Sequence, residues 1–239
     1  MYYKVIKENS DYMLVWKPAN LPTTPTKSNP ECLITFLSND YPYLKEVEGY
    51  GRAGEYGLLN RLDNKTSGLI IVAKTDEAFT NILNQFNSTK KVYLALCYNL
   101  GTETKGIIDI PIAHHRTDSK RMVWVSEQES NQKFSYRGKA QQCETKFTVI
   151  STEEAKTIWA KYLPKEIPFP TNLLPKDEEQ NFTWIKCVIS KGKRHQIRIH
   201  LKYKKYPVLG DEIYSTKDKK HSIIDHYALY GVGIEGLPD

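Results

Sequence analysis

No stretch of this chain is long and apolar enough to cross a bilayer. The longest uninterrupted aliphatic run is Leu69-Ile70-Ile71-Val72-Ala73, far short of the roughly 20 residues a membrane helix needs. The N-terminus, Met1-Tyr2-Tyr3-Lys4, has no apolar core of a signal peptide, so a cytoplasmic protein is expected. Cysteine is scarce: Cys32, Cys97, Cys143 and Cys187 are widely separated, with no Cys-x-x-Cys pair. That spacing argues against structural zinc, and a chain of 239 residues needs no disulfide framework to build a core. Small buried thiols are the expectation. Internal repeats and low-complexity linkers are also missing, so residues 1–239 read as a single domain. Acid is missing from one long stretch: between Gln180 and Gly210 there is no Asp or Glu.

That same stretch carries Lys186, Lys191, Lys193, Arg194, Arg198, Lys202, Lys204 and Lys205, with Tyr203 and Tyr206 interleaved. Within a net charge of +6, a patch of one sign attracts phosphate backbones and makes binding salt-dependent. A solvated cationic face without a partner would look the same from charge alone. Strand character is found over residues 12–17, 68–74, 91–98, 122–125, 140–150, 183–190 and 227–232. Helical periodicity is found over 33–38, 75–87, 152–162 and 196–203. Thr75 or Asp76 is expected to cap the second helix, whose Phe79, Ile82, Leu83 and Phe86 form one core-facing stripe. Residues 194–201 also alternate with period two, which suits a strand equally well. Residues 24–30 and 41–57 read as additions or mobile elements. Residues 161–180 hold Pro164, Pro168, Pro170 and Pro175, which argues against regular structure and reads as a surface insertion between two strands.

The most informative segment is Asn60-Arg61-Leu62-Asp63-Asn64-Lys65-Thr66-Ser67-Gly68-Leu69. It places an acid between two basic residues just before the apolar run. In an extended strand Arg61 and Asp63 would share a face, the guanidinium keeping the carboxylate ionised. Thr66-Ser67-Gly68 reads as a turn whose hydroxyls bond local backbone and whose glycine tolerates unusual dihedrals. A carboxylate held charged at the rim of a core strand can serve as nucleophile or base. A weak surface ion pair is the plainer reading of the same residues.

The wider pattern decides between them. RLDxxTSGL resembles the signature of the RluA-type pseudouridine synthases, with Asn60 standing where His is usual. Met13-Leu14-Val15-Trp16-Lys17-Pro18-Ala19-Asn20-Leu21, Lys91-Val92-Tyr93-Leu94-Ala95-Leu96, the segment from Gly138 to Phe147, Lys191-Gly192-Lys193-Arg194-His195-Gln196-Ile197-Arg198-Ile199-His200-Leu201 and Val208-Leu209-Gly210-Asp211-Glu212-Ile213-Tyr214 are similar to the family's other blocks, in the family's order. The resemblance implies an α+β fold: a central, mostly antiparallel mixed sheet with flanking helices. It places residues 196–203 in a helix and leaves no room for the small S4-like domain of many relatives.

The activity implied is isomerisation of specific uridines in ribosomal and/or transfer RNA: the N1–C1′ bond breaks, the uracil turns, and C5 rejoins the sugar. No redox step occurs, so no cofactor is expected. Asp63 would be the catalytic carboxylate, attacking C1′ or removing a sugar proton. Tyr93 would offer a stacking face and a hydroxyl for proton relay, and Arg198 a counter-charge. Arg61, Asn60, Lys191, Lys193, Arg194, His195 and Gln196 would contact RNA. Neither His114-His115 nor His195 with His200 has a third ligand at zinc-like spacing, so no metal site is assigned. RNA is the expected partner, no membrane contact is expected, and a monomer is the default. A non-catalytic RNA-binding or ribosome-assembly factor on the same fold is the alternative. A glycoside hydrolase would need a second carboxylate, and none stands out near Asp63.

Overall fold

A computed structural model describes residues 2–25, 30–49, 54–86, 88–126, 136–171, 173, 181–215 and 224–237. The chain folds as two compact units, each assembled from separate segments. The first holds Met1–Lys91, Trp159–Pro168 and Tyr230–Asp239, and the second holds Val92–Ile158 and Phe169–Leu229. The architecture is α+β, as expected.

In the first unit, β1 (Lys4–Glu8), β2 (Tyr12–Lys17), β3 (Ser67–Ala73) and β11 (Leu229–Glu235) lie in the order β1-β2-β3-β11. β1–β2 and β2–β3 pair antiparallel, and β3–β11 pairs parallel. The apolar run of β3 is continuous because both of its faces are covered. Ile70 and Val72 join Met13 and Val15 of β2 against Leu33, Ile34 and Leu37 of α1 (Leu33–Asp40). Ile71 and Ala73 face the other way, onto Ala78, Phe79, Ile82 and Phe86 of α2 (Asp76–Phe86). Thr75 caps α2, its Oγ1 accepting from the Ala78 amide at 3.1 Å. Gly68 is required where it stands. Its φ is +152°, and a Cβ there would meet the Gly231 amide nitrogen of the neighbouring strand at 2.6 Å.

In the second unit, β4 (Lys90–Tyr98), β10 (Phe182–Ile189), β9 (Thr145–Ile150) and β5 (Lys105–Ile108) follow in the order β4-β10-β9-β5. β9 pairs antiparallel with both neighbours, β10 and β5. A second sheet places β6 (Ile112–His115) between β7 (Met122–Trp124) and β8 (Tyr136–Gln141). Its Ile112 and Met122 pack on Ile199 and Tyr214, which seats α4 (Gln196–Tyr203). The helix alternative for residues 196–203 is therefore the one adopted. The period-two pattern there is incidental, because Gln196 through Leu201 are all buried.

Three expectations are corrected. Residues 140–150 form two strands in different sheets, since residues 142–144 leave the ladder. The expected insertion at 161–180 begins inside α3 (Thr152–Tyr162), and Trp159 Nε1 donates to the Ile167 carbonyl at 2.7 Å. Residues 172 and 174–180 of it lie outside the described residues, as do 26–29 and 50–53 of the other two expected additions. β1, β5 and β6 had no counterpart in the sequence reading. Cys32, Cys97 and Cys187 are buried free thiols, and Cys143 is half-buried. No helix among the described residues is long and apolar enough to cross a membrane.

Candidate active site

Asn60 to Asp63 do not continue a strand. They form a loop that leaves β3's flank and returns through a turn in which the Thr66 amide donates to the Asp63 carbonyl at 3.1 Å. Arg61 is exposed and pairs with Glu55 (Nη1–Oε1 3.3 Å), a buried carboxylate the sequence reading did not single out. The extended strand on which the expected side-by-side placement of Arg61 and Asp63 was based is not formed here. The Thr66 hydroxyl is buried without a hydrogen-bond partner among the described residues, so the turn is closed by backbone and not by that side chain.

The loop is held from its sides. Leu59 N donates to Ile71 O at 3.0 Å, the last backbone bond before the loop departs. Asn60 then continues the pairing with its side chain: Nδ2 donates to Leu69 O at 3.1 Å and Oδ1 accepts from Ile71 N at 2.8 Å. Thr23, itself buried, grips the next peptide groups. Its Oγ1 accepts from Leu62 N at 3.2 Å and donates to Leu62 O at 3.0 Å. Lys17 closes the far side. Opposite Gly68 in the β2–β3 register, its fully buried ammonium donates to Leu21 O at 2.7 Å, Pro18 O at 2.9 Å and Asn64 O at 3.1 Å. Burial pushes Lys17 down to about 7, with the negative charge of Asp63 pulling the other way. Three carbonyls also need all three of its protons, which favours the charged form. Asp63 itself is half-buried at the apex.

Tyr93 and Arg198 belong to the second unit. Tyr93 is buried in β4. Arg198 is 1% exposed, and its charge is matched by Asp211: Nε to Oδ2 2.7 Å, Nη2 to Oδ1 2.9 Å. The guanidinium also lies 4.0 Å from the Tyr227 ring centroid and 5.0 Å from that of Tyr214. Asp211 was legible only as part of a motif, without a role. Its backbone position depends on Gly210, whose φ is +80° and whose Cβ would lie 1.9 Å from the His226 carbonyl oxygen.

The loop preceding α4 ends at His195, a non-glycine residue in the left-handed region (φ 57°). The Tyr214 hydroxyl accepts from Met122 N at 2.8 Å and shares a hydrogen bond with His195 Nδ1, 2.7 Å away. Gln196 turns inward. It is buried, its Oε1 accepts from Lys193 N at 2.9 Å, and its Nε2 donates to Glu144 O at 2.8 Å and Thr145 Oγ1 at 3.1 Å. Its polar atoms hold the loop. Thr145 Oγ1, accepting from Gln196, donates to His200 Nδ1 at 2.8 Å, and His200 Nε2 donates to Ile110 O at 3.0 Å. His115 Nδ1 likewise accepts from Asp118 N at 3.0 Å.

The basic stretch is divided by the fold. Lys191, Arg194 and Lys205 are exposed, and Lys186, Lys193 and Lys202 are half-buried. Lys204 is bound to Glu103 (2.6 Å). Of the interleaved tyrosines, Tyr203 is exposed, whereas Tyr206 is buried and donates to Glu103 O at 2.9 Å.

Comparison with known proteins agrees with these motifs. The RNA pseudouridylate synthase family profile matches residues 11–203. An uncharacterized RNA pseudouridine synthase of Aquifex aeolicus is 30% identical over 216 residues, covering 89% of this chain and 56% of its own length. Ribosomal large subunit pseudouridine synthase D of Nitrosomonas europaea is 29% identical, covering 93% and 52%. The chain thus spans little more than half the length of these curated relatives. Among solved structures, human RNA pseudouridylate synthase domain containing 1 superimposes with a TM-score of 0.67 at 17% identity, over 95% of this chain and 76% of that one; that likeness is one of fold. With a profile covering most of the sequence and its motifs in order, the chain belongs to the RNA pseudouridylate synthase family, of the RluA type its motifs resemble.

Proposed function

We propose that this chain isomerises specific uridines of ribosomal and/or transfer RNA to pseudouridine, with its two units working as one cytoplasmic, monomeric catalytic domain. The observation that carries the reading is the Asp63 loop: a half-exposed carboxylate on a backbone fixed by Asn60, Thr23 and Lys17. Such preorganisation suits a group that must meet a sugar carbon or proton at defined geometry. Two relatives named as ribosomal large subunit synthases favour ribosomal RNA as the first substrate to test.

In this reading the target uridine leaves its stack at a cost of a few kcal/mol, partly recovered in the pocket. Arg61 leaves Glu55 to hold the rearranged RNA, and Tyr93 offers its ring to the detached uracil. Arg198, kept charged and rigid by Asp211, supplies positive potential to the carboxylate. Lys191, Lys193, Arg194 and His195 contact phosphates. Asn60 and Gln196 serve by holding backbone.

The test is tritium release from RNA transcribed with C5-tritiated uridine, with ribosomal and transfer RNA in separate reactions. Release by the wild type and none by Asp63→Asn, with RNA affinity within a few fold, is the expected outcome. Tight binding without release from either RNA would support the non-catalytic RNA-binding alternative.

A further inference from the structure

We infer that Thr23 and Asn60 are positioning residues for Asp63, forming a two-point clamp on the backbone that carries it; the inference rests on Asp63 being the reacting carboxylate. Residues 61–63 have no strand partner, so nothing in the sheet ladder fixes their course. Asn60 replaces the missing ladder on one side. Its amide presents one acceptor and one donor, as a peptide group does, and fills the Ile71 N and Leu69 O positions of β3 at 2.8 and 3.1 Å. Thr23 acts one step closer to the carboxylate. A single hydroxyl satisfies both the amide and the carbonyl of Leu62, at 3.2 and 3.0 Å, and so fixes the residue immediately before Asp63. Thr23 is anchored in turn: its carbonyl accepts from Ile34 N at 3.3 Å, and the adjacent Pro22 carbonyl accepts from Leu33 N at 2.8 Å, both on α1. The carboxylate is thereby referred to two separate elements, β3 through Asn60 and α1 through Thr23. Two attachment points of different origin restrain both displacement and rotation of the loop, which one could not.

Asn60 also stands where histidine is usual among the proteins its motif resembles. An imidazole cannot present donor and acceptor with the spacing of an amide. In this chain the position therefore serves the backbone of its own loop.

Thr23→Val is isosteric and removes only the hydroxyl. Steady-state kinetics on the RNA that wild type modifies should show kcat lowered by about tenfold or more with KM within about twofold, the pattern of a reacting group displaced without loss of substrate binding. Thr23→Ser should restore kcat to within about twofold of wild type. Amide hydrogen exchange, which needs no turnover, should show Leu62 deprotected in Thr23→Val and Ile71 deprotected in Asn60→Ala. Unchanged kcat in Thr23→Val, a serine variant as impaired as the valine, or unaltered exchange at Leu62 would each overturn the clamp while leaving the isomerase reading intact. A wild type that turns over neither ribosomal nor transfer RNA would instead remove the reading on which the clamp rests.

Discussion

Arg198 and Asp211 are both fully buried and joined by two charge-assisted hydrogen bonds. Neither charge can be left alone there, because the desolvation cost of an unpaired ion exceeds what packing returns. Asp211→Asn should therefore destabilise the protein by about 3 kcal/mol, measured by urea unfolding. A loss no larger than that of a surface variant would show that Arg198 finds other compensation. His200 makes a second residue-scale case. Burial pushes its imidazole down to about 4 from the ordinary 6.5, although its bond to Ile110 O and the charge of Asp109 act the other way. The unfolded chain takes up this proton near 6.5, and the fold accepts it only near 4. This stability is fully present above pH 6.5 and is lost as pH falls from about 6.5 to 4, by about 3 kcal/mol in all. Equilibrium unfolding at pH 7, 5.5 and 4.5 should show this slope in wild type and a shallower one in His200→Gln. Equal slopes would assign the acid sensitivity to other groups. Such residues were only partly legible beforehand. Arg198 and His200 announce themselves by motif, but their burial and their partners, Asp211 and Thr145, depend on contacts between segments far apart in sequence.

At the scale of elements, the helices were the most readable. α3 opens on a capping box, with Ser151 N donating to Glu154 Oε2 at 2.8 Å and Glu154 N donating to Ser151 Oγ at 3.2 Å. α2 shows its apolar stripe directly in the sequence, with its cap narrowed to Thr75 or Asp76. β2 and β3 were equally clear, since both are rich in apolar residues over most of their length. β1, β5 and β6 were not, because each is short and carries charged, glycine or histidine residues without sustained alternation. The Asp63 loop shows the same limit at the site. RLDxxTSGL marks the proposed site, yet the clamp that fixes it spans 39 residues between Thr23 and Leu62, and no periodicity encodes such a bond. The loop before α4 offers an element-scale test. Replacing Lys191 and Arg194, both exposed, with alanine should weaken RNA binding and reduce the slope of log K against log salt by about 1.5, if each meets a phosphate. An unchanged slope would place the RNA elsewhere on the surface.

At the scale of the whole molecule, the notable fact is how each unit is threaded. The first is made from three separated segments, Met1–Lys91, Trp159–Pro168 and Tyr230–Asp239. Gly68 and Gly231 lie side by side in the parallel β3–β11 pair, at a distance that admits no side chain. Protein synthesis runs in one direction, so β3, with the Asp63 loop beside it, leaves the ribosome long before the strand that will pair with it. During that interval the Ser67–Gly68 end of β3, the part that pairs with β11, stays an open edge, a hazard for association with other chains. Only when β11 has been delivered can that end be closed. The Asp63 loop and β11 are thus tied to one event in biosynthesis, and a nascent chain interrupted before Tyr230 would carry every residue of RLDxxTSGL beside a β3 still lacking its parallel partner.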